Sequence, residues 1–397
     1  MSRPLSPELS LAAACCRWPF DGAAGEAIGA AVDRWIDWDL FEGVVRRNRI
    51  VPLVNHALSR SGAEVPAPLR QRLSDGAHVA GTQALLMARE SLRLQNAFDA
   101  AGIPLMIVKG APLAMLAYGE LGMKESWDID LLVTPEDAPG AIGLLAQQDY
   151  VSDLPNIPAE RLKGFLTYSK EVQFHRGGMT AELHWRLSDN PRLLESVSAQ
   201  ARGQYVAIPG GRLRTLADEE LFAYLCVHGT AHNWSRLKWL ADLGAMLGRR
   251  TPDEIAQLYD AARACNVGRC ASVALLLCRR LLGLALPERL VRALEQDRVA
   301  RALVQNALAG LAYRKGTFEL RPYTRPWVRM MMAQFFVGSG GAHGLHQLRT
   351  VWNSPGDRAQ VALPRGFEFG YHLLRVPLWL GRVSRRTWAA LGRSSLS

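Results

Sequence analysis

The residues best suited to chemistry are Asp128 and Asp130, in the run KESWDIDLLV (124–133). Side chains alternate along a strand, so both carboxylates project from one face, about 7 Å apart at Cα, while Ile129, Leu131 and Val133 point to the other. Two like charges so close repel, and a divalent cation removes that cost without protonation. Mg²⁺ accepts carboxylate oxygens, keeps several waters and binds substrate phosphates. Two such ions clamp an in-line phosphoryl displacement. A third acid from a neighbouring strand completes the cage, and Glu182 in AELHWRL (181–187) offers one. A bare D-x-D triplet is short and also reads as two solvated aspartates on an edge strand. The surrounding residues favour the metal reading.

Lys109 and Gly110 end the apolar run IPLMIVKG (103–110). Glycine allows close backbone approach, and the helix that follows offers free N–H groups and its positive end to a phosphate. Lys109 adds a point charge, although a strand-to-helix turn with a solvated lysine fits the same residues. Further along, LCVHGTAHNWSRLKWLADL (225–243) places His228 and His232 at i and i+4. The spacing suits zinc, but the glutamate that a metalloprotease needs beside the first histidine is missing. With Lys238 and Asp242 near the same face of one continuous helix, they read as a second wall over a nucleotide. His228 or His232 would hydrogen-bond or deprotonate an acceptor, and Lys238 would meet phosphate. Helix packing and capping explain the same spacing. His184, beside Glu182, reads as a group that orients that carboxylate.

The elements that must position these groups follow from periodicity. IPLMIVKG reads as a central strand, APLAMLAYG (111–119) as a helix with Pro112 in its first turn, and DIDLLV (128–133) as a second strand. PEDAPGAIGLLAQQ (135–148) reads as a helix with acids in its first turn. In SKEVQFHRGGMTAELHWRL (169–187), Gly177-Gly178 is a hairpin signal. Pairing outward sets Phe174 opposite Ala181, Gln173 opposite Glu182 and Val172 opposite Leu183. Val172, Phe174, Ala181, Leu183 and Trp185 then share an apolar face, and Glu171, Gln173, Glu182, His184 and Arg186 the polar one.

The flanks look helical. Apolar residues recur near a 3.6 period over 33–58 and again over 78–102, with Pro66 and Pro68 breaking the chain between. A helical pattern runs over 216–247 with Asp218 as N-cap, and continues through 254–285 and 290–312. The expected fold is α+β: a small mixed sheet at 101–215 between an N-terminal helical region, 1–100, and a C-terminal helical domain, 216–397.

Lys and Arg total 47 against 37 Asp and Glu, a formal net charge of +10, which suits a polyanionic ligand such as nucleotide phosphates. A generally basic composition explains the excess equally well. The longest apolar run, ASVALLLC (271–278), is too short to span a bilayer, so no stable membrane insertion is expected. The N-terminal patch Leu11–Ala14 does not make a good signal peptide. Six cysteines form neither a disulfide framework nor a zinc pattern, which suggests a cytoplasmic protein. The basic stretch LGRVSRRTW (380–388) reads as a solvated tail.

Taken together, VKGAPLAMLAYGELGMKESWDIDLLV, AELHWRL and LCVHGTAHNWSRLKWLADL resemble the uncharacterised nucleotidyltransferase family of the polymerase-β-like superfamily, and AGIPLMIVKG and SPGDRAQVALP add to the likeness. The resemblance implies Asp128, Asp130 and Glu182 as metal ligands, probing residue by residue, with Gly110 in place of a phosphate loop and Lys109 before it. It implies two Mg²⁺ ions and an NTP, ATP by expectation, as co-substrate. The family's usual Arg falls on Lys124, which keeps the charge but loses the bidentate fork, and its usual Gly before the first Asp is Trp127. The expected reaction moves a nucleoside monophosphate to a hydroxyl of a small-molecule or peptide acceptor, with catalytic roles for Asp128, Asp130, Glu182 and His228. Nucleotide contacts are expected from Lys109, Gly110, Lys124, His232, Lys238 and Asp242. Two alternatives stand beside it: a catalytically weak nucleotide-binding accessory protein, and a protein- or RNA-modifying transferase of toxin-antitoxin type.

Overall fold

The computed structural model describes residues 5–153, 159–312, 324–352 and the isolated positions 370, 374 and 377. The basic stretch at 380–388 and the family-like segment from residue 354 lie outside the described residues.

The helices α1 (Pro7–Ala14), α2 (Gly22–Val32), α3 (Trp38–Asn48), α4 (Val51–Arg60) and α5 (Ala67–Ala100) precede the first strand. The periodic run 33–58 is two helices, because Arg49 takes a left-handed backbone (φ 54°) that ends α3. Pro66 does separate α4 from α5. Pro68, however, sits in the first turn of the 34-residue α5, where its missing N–H costs nothing. The apolar patch Leu11–Ala14 is buried within α1.

The middle of the chain carries β1 (Met106–Ile107), α6 (Ala111–Tyr118), β2 (Asp128–Leu132), α7 (Ala138–Gln147), β3 (Val151–Ser152), α8 (Ala159–Tyr168), β4 (Glu171–Arg176) and β5 (Met179–His184). Their sheet has the order β1-β2-β5-β4-β3. β2 and β5 run parallel, and the other neighbours run antiparallel. The β4–β5 hairpin turns at Gly177-Gly178, both with positive φ, and has the register expected from sequence: Val172 with Leu183, Gln173 with Glu182, Phe174 with Ala181. One expectation fails. β1 is a short edge strand, not a central one. Its apolar character reflects burial on both sides: Met106 faces the helical core and Ile107 the core under the sheet. A short apolar run reports two-sided burial, whichever strand it belongs to.

A separate hairpin, β6 (Gln204–Ile208) with β7 (Gly211–Thr215), leads into α9 (Asp218–Ala231), α10 (Leu237–Leu247), α11 (Pro252–Ala264), α12 (Gly268–Leu282), α13 (Glu288–Gln296), α14 (Arg298–Leu311), α15 (Arg325–Ala333) and α16 (Gly340–Trp352). The architecture is α+β. Asp218 opens the first turn of α9 behind an Ala217 N-cap and pairs with Arg250. One apolar core joins the first helices to the later ones, Leu11 and Phe41 belonging to the same cluster as Leu240 and Leu275. A second lies against the sheet around Phe98, Ile129, Phe174 and Leu183.

The span 216–247, which periodicity reads as continuous, is broken after His232. Asn233 and Trp234 both have positive φ, and buried Trp234 folds back so that its N–H donates to the Gly229 carbonyl at 2.8 Å. Gly229 is required there, since a Cβ would meet the Trp234 ring at 2.4 Å.

Candidate active site

Strand alternation separates the residues of β2 as expected. Ile129 packs into the core under the sheet, while Asp130, 1% exposed, sits on the opposite, polar face. The parallel pairing sets Asp130 directly beside Glu182 and Leu132 beside His184. The hairpin adds Glu171, opposite His184, and Gln173, opposite Glu182. Gln173 Nε2 donates to Glu182 Oε1 at 2.9 Å and fixes that carboxylate.

The closest cluster is Asp130, Glu182 and His184, whose ligand atoms lie within 4.8 Å of one another. His184 Nε2 is 3.3 Å from Asp130 Oδ1 and 3.6 Å from Glu182 Oε2, and its Nδ1 is 3.0 Å from Glu171 Oε2. Asp128 lies outside this cluster, more exposed, and is linked to it through Lys109. The Lys109 Nζ is 3.0 Å from Asp130 Oδ1 and 3.6 Å from Asp128 Oδ2. Despite these distances, both Asp130 oxygens and both His184 nitrogens are buried without an aligned hydrogen bond. They are ion-pair contacts within 3.6 Å that do not meet the alignment of a hydrogen bond.

The electrostatics follow from burial against pairing. Burial works to raise the Asp130 pKa, but Lys109 and His184 overcome it and hold the group below its ordinary value. Burial lowers that of Lys109, and Asp130 and Asp128 reverse this to leave it raised. His184 is pushed down by burial but carried up to about 10 by Asp130, Glu171 and Glu182. Glu171 is held well below the usual carboxylate range: its burial is outweighed by His184 and Lys170.

Gly110 has φ 77°, which turns the chain from β1 into α6 and keeps Lys109 over the acids. Trp127 is 56% exposed beneath the Arg49 guanidinium, 5.7 Å from its ring centroid. Lys124 and Asp242 are both buried and form an ion pair with each other, and Tyr118 donates to Asp242 at 3.0 Å. This pair ties α10 to the segment that leads into β2. A pairing 118 residues apart leaves no local trace in sequence.

His228 and His232 do meet, their ring centroids 4.8 Å apart, and His232 stacks on Trp239 at 4.8 Å and 17°. The turn at Trp234, not a shared helical face, brings Lys238 and Trp239 to them. His232 is exposed to the cleft. Burial, then Lys109 and Lys170, lower its pKa, and burial and Lys109 do the same for His228. Both rings are therefore held neutral, and the same burial and lysine charges weaken them as proton acceptors. Burial, with Lys124 and Lys109, brings Lys238 down to about 7.

These groups line one cavity of about 1020 Å³. Lys109, Asp128, Asp130 and Glu182 form one wall; His228, His232 and Lys238 form another; Trp327 and Met331 of α15 lie across from them. A smaller pocket beside it is lined by Gly110, Lys124, Lys238 and Asp242. Sequence reading passed over Glu171, Lys170, Tyr224 and Arg236 as cavity residues. Glu171 had a signal, since extending the hairpin register by one pair sets it opposite His184.

A model of the uncharacterised nucleotidyltransferase family matches residues 35–283. The chain belongs to this family. The match spans every acid of the site, so the protein is a transferase of phosphorus-containing groups. A search of the curated proteins finds no match.

Proposed function

We propose that the protein is a divalent-metal-dependent nucleotidyltransferase that transfers a nucleoside monophosphate from an NTP, ATP by preference, to a hydroxyl of a small-molecule or peptide acceptor and releases pyrophosphate. The observation that carries this reading is the parallel register of β2 and β5, which sets buried Asp130 against Glu182 at the floor of a cavity. The donor chemistry fits a divalent cation: oxygens of Asp130 and Glu182 converge, and Asp130 has no aligned hydrogen bond. Asp128, Asp130 and Glu182 are the proposed ligands, with Mg²⁺ as the expected ion and two ions the family's arrangement. When bound, such ions neutralise phosphate charge and polarise the reacting phosphoryl group.

This chain's own residues do the rest. Lys109 brings positive charge to the triphosphate, Lys238 joins it as phosphate charge draws a proton onto it, and Gly110 keeps the backbone close enough for phosphate to approach the start of α6. His228 faces the cavity and takes the acceptor hydroxyl's proton as that oxygen attacks the α-phosphate, its basicity recovering as triphosphate charge offsets Lys109. His232 holds the acceptor or base from its place against Trp239. Lys124 and Asp242 brace the wall by pairing with each other, which spares the nucleotide a direct contact with either. Ligand pockets run from about 300 to about 1,000 Å³, and this cavity of about 1020 Å³ stands at the upper end of that range, large enough for a nucleotide.

The test is incubation with ATP labelled at the α-phosphate, Mg²⁺ and host extract, with mass spectrometry of the labelled product. Metal-dependent label transfer is expected from the wild type and not from Asp130→Asn. One observation favours a second reading, a nucleotide-binding protein of weak turnover: the Lys124 charge is already paired with Asp242. ATP binding with no pyrophosphate release across many acceptors would select it.

A further inference from the structure

His184 stands between two carboxylate systems in a way that helix- or sheet-packing does not require. Its side chain is 5% exposed, its Nδ1 faces Glu171 Oε2 at 3.0 Å, and its Nε2 faces both Asp130 and Glu182. A carboxylate on one ring nitrogen fixes the tautomer that leaves a lone pair on the other. In the neutral ring with N–H toward Glu171, that lone pair points at two carboxylates, an arrangement that is repulsive until a cation lies between them. Resting on the reading that this site holds a divalent cation, we infer that His184 Nε2 is itself a ligand of that ion, together with Asp130 and Glu182, and that Glu171 is the residue that aims it.

His184 Nε2 and Lys109 Nζ both converge on Asp130 Oδ1, from 3.3 and 3.0 Å, and Nε2 lies 3.6 Å from Glu182 Oε2, so the nitrogen and the two carboxylates would hold an ion between them. A mixed nitrogen and oxygen set differs from the all-oxygen shell that suits Mg²⁺. Mn²⁺ takes carboxylate oxygens as Mg²⁺ does and tolerates an imidazole nitrogen better, which makes it the probe for this ligand set.

The test uses the full chain loaded with Mn²⁺ and pulsed electron paramagnetic resonance, which reads nitrogen bound to the ion directly. A histidine nitrogen coupling is expected in the wild type, changed in pattern when the protein carries isotopically labelled histidine. It should vanish in His184→Gln and persist in His228→Gln. In Glu171→Gln the coupling should remain while Mn²⁺ affinity falls roughly 10- to 100-fold, the usual effect of losing an outer-shell partner. The labelling arm needs no substitution and reads whether any histidine binds the ion, and His184→Asn provides the assignment if His184→Gln does not fold. Mn²⁺ bound through oxygen alone, with nucleotidyl transfer intact, overturns the role of His184 and leaves the functional reading standing. A wild-type chain that binds no divalent ion overturns both.

Discussion

At the residue scale, the site is a contest for one buried carboxylate. Asp130 is held by Lys109 and His184, whereas Asp128 sits farther out and meets only Lys109 among these groups. The two aspartates should therefore be unequal. Asp130→Asn is expected to cut metal-dependent transfer by at least about 100-fold, since even an outer-shell change costs 10- to 100-fold, and Asp128→Asn by less. Steady-state rates for the two variants check the order, and equal losses would mean that Asp128 is as close a ligand as Asp130. Lys238 gives a pH signature. Its folded pKa of about 7 lies below the ordinary 10.5. Between those values the unfolded chain binds a proton that the folded chain does not, so this group makes stability rise with pH across that window. His184, raised to about 10, acts in the opposite sense from its ordinary 6.5 upward. Comparing urea midpoints of wild type and Lys238→Met from pH 7 to about pH 10 isolates the lysine. The variant should lack part of the rise, and parallel profiles would place Lys238 in an ordinary solvated setting.

At the element scale, two backbone features place the walls: the parallel β2–β5 pairing and the tight turn between α9 and α10. Gly229→Ala would drive a methyl into the Trp234 ring, 2.4 Å away. Overpacking of this kind costs about 1–3 kcal/mol, and because the same turn carries Lys238 and Trp239 toward the histidines, ATP affinity should weaken as well. Urea unfolding and titration calorimetry read the two effects. What sequence could reveal divides along the same line. Strand alternation exposed Asp130 and Glu182, and the Gly177-Gly178 turn set the hairpin register down to the Gln173–Glu182 pair, because both are local rules. The edge position of β1 was hidden, since strand order depends on partners distant in sequence. The break at Asn233 and Trp234 was hidden too: it comes from Trp234 burying itself against Gly229, and apolar periodicity runs straight through it. The Lys124–Asp242 pair needed the assembled fold, whereas the Glu171–His184 pairing lay one step along the register already read.

At the scale of the whole molecule, the first helices and the later ones close on one core, and the cavity is lined by the sheet and by the later helices α9, α10, α15 and α16. Among the described residues no helix is long and apolar enough to cross a membrane. The wall contributed by Trp327 and Met331 falls beyond the family match at 35–283, whereas the acids fall inside it. Acceptor choice is therefore expected to follow the α15 wall and the chemistry to follow the shared core, so Met331→Ala should change the acceptor's KM more than kcat. Ion binding at a buried site also stabilises the fold: at 100 times Kd the gain is about 2.7 kcal/mol, visible as a rise in Tm that Asp130→Asn should abolish. The most direct measurement is release of pyrophosphate and transfer of α-labelled phosphate from ATP, with and without divalent ion, by the wild type and Glu182→Gln. Ion-dependent transfer by the wild type that falls steeply in Glu182→Gln is the predicted result. Transfer that needs no ion, or that survives intact in Glu182→Gln, would contradict a site built on the Asp130–Glu182 pair.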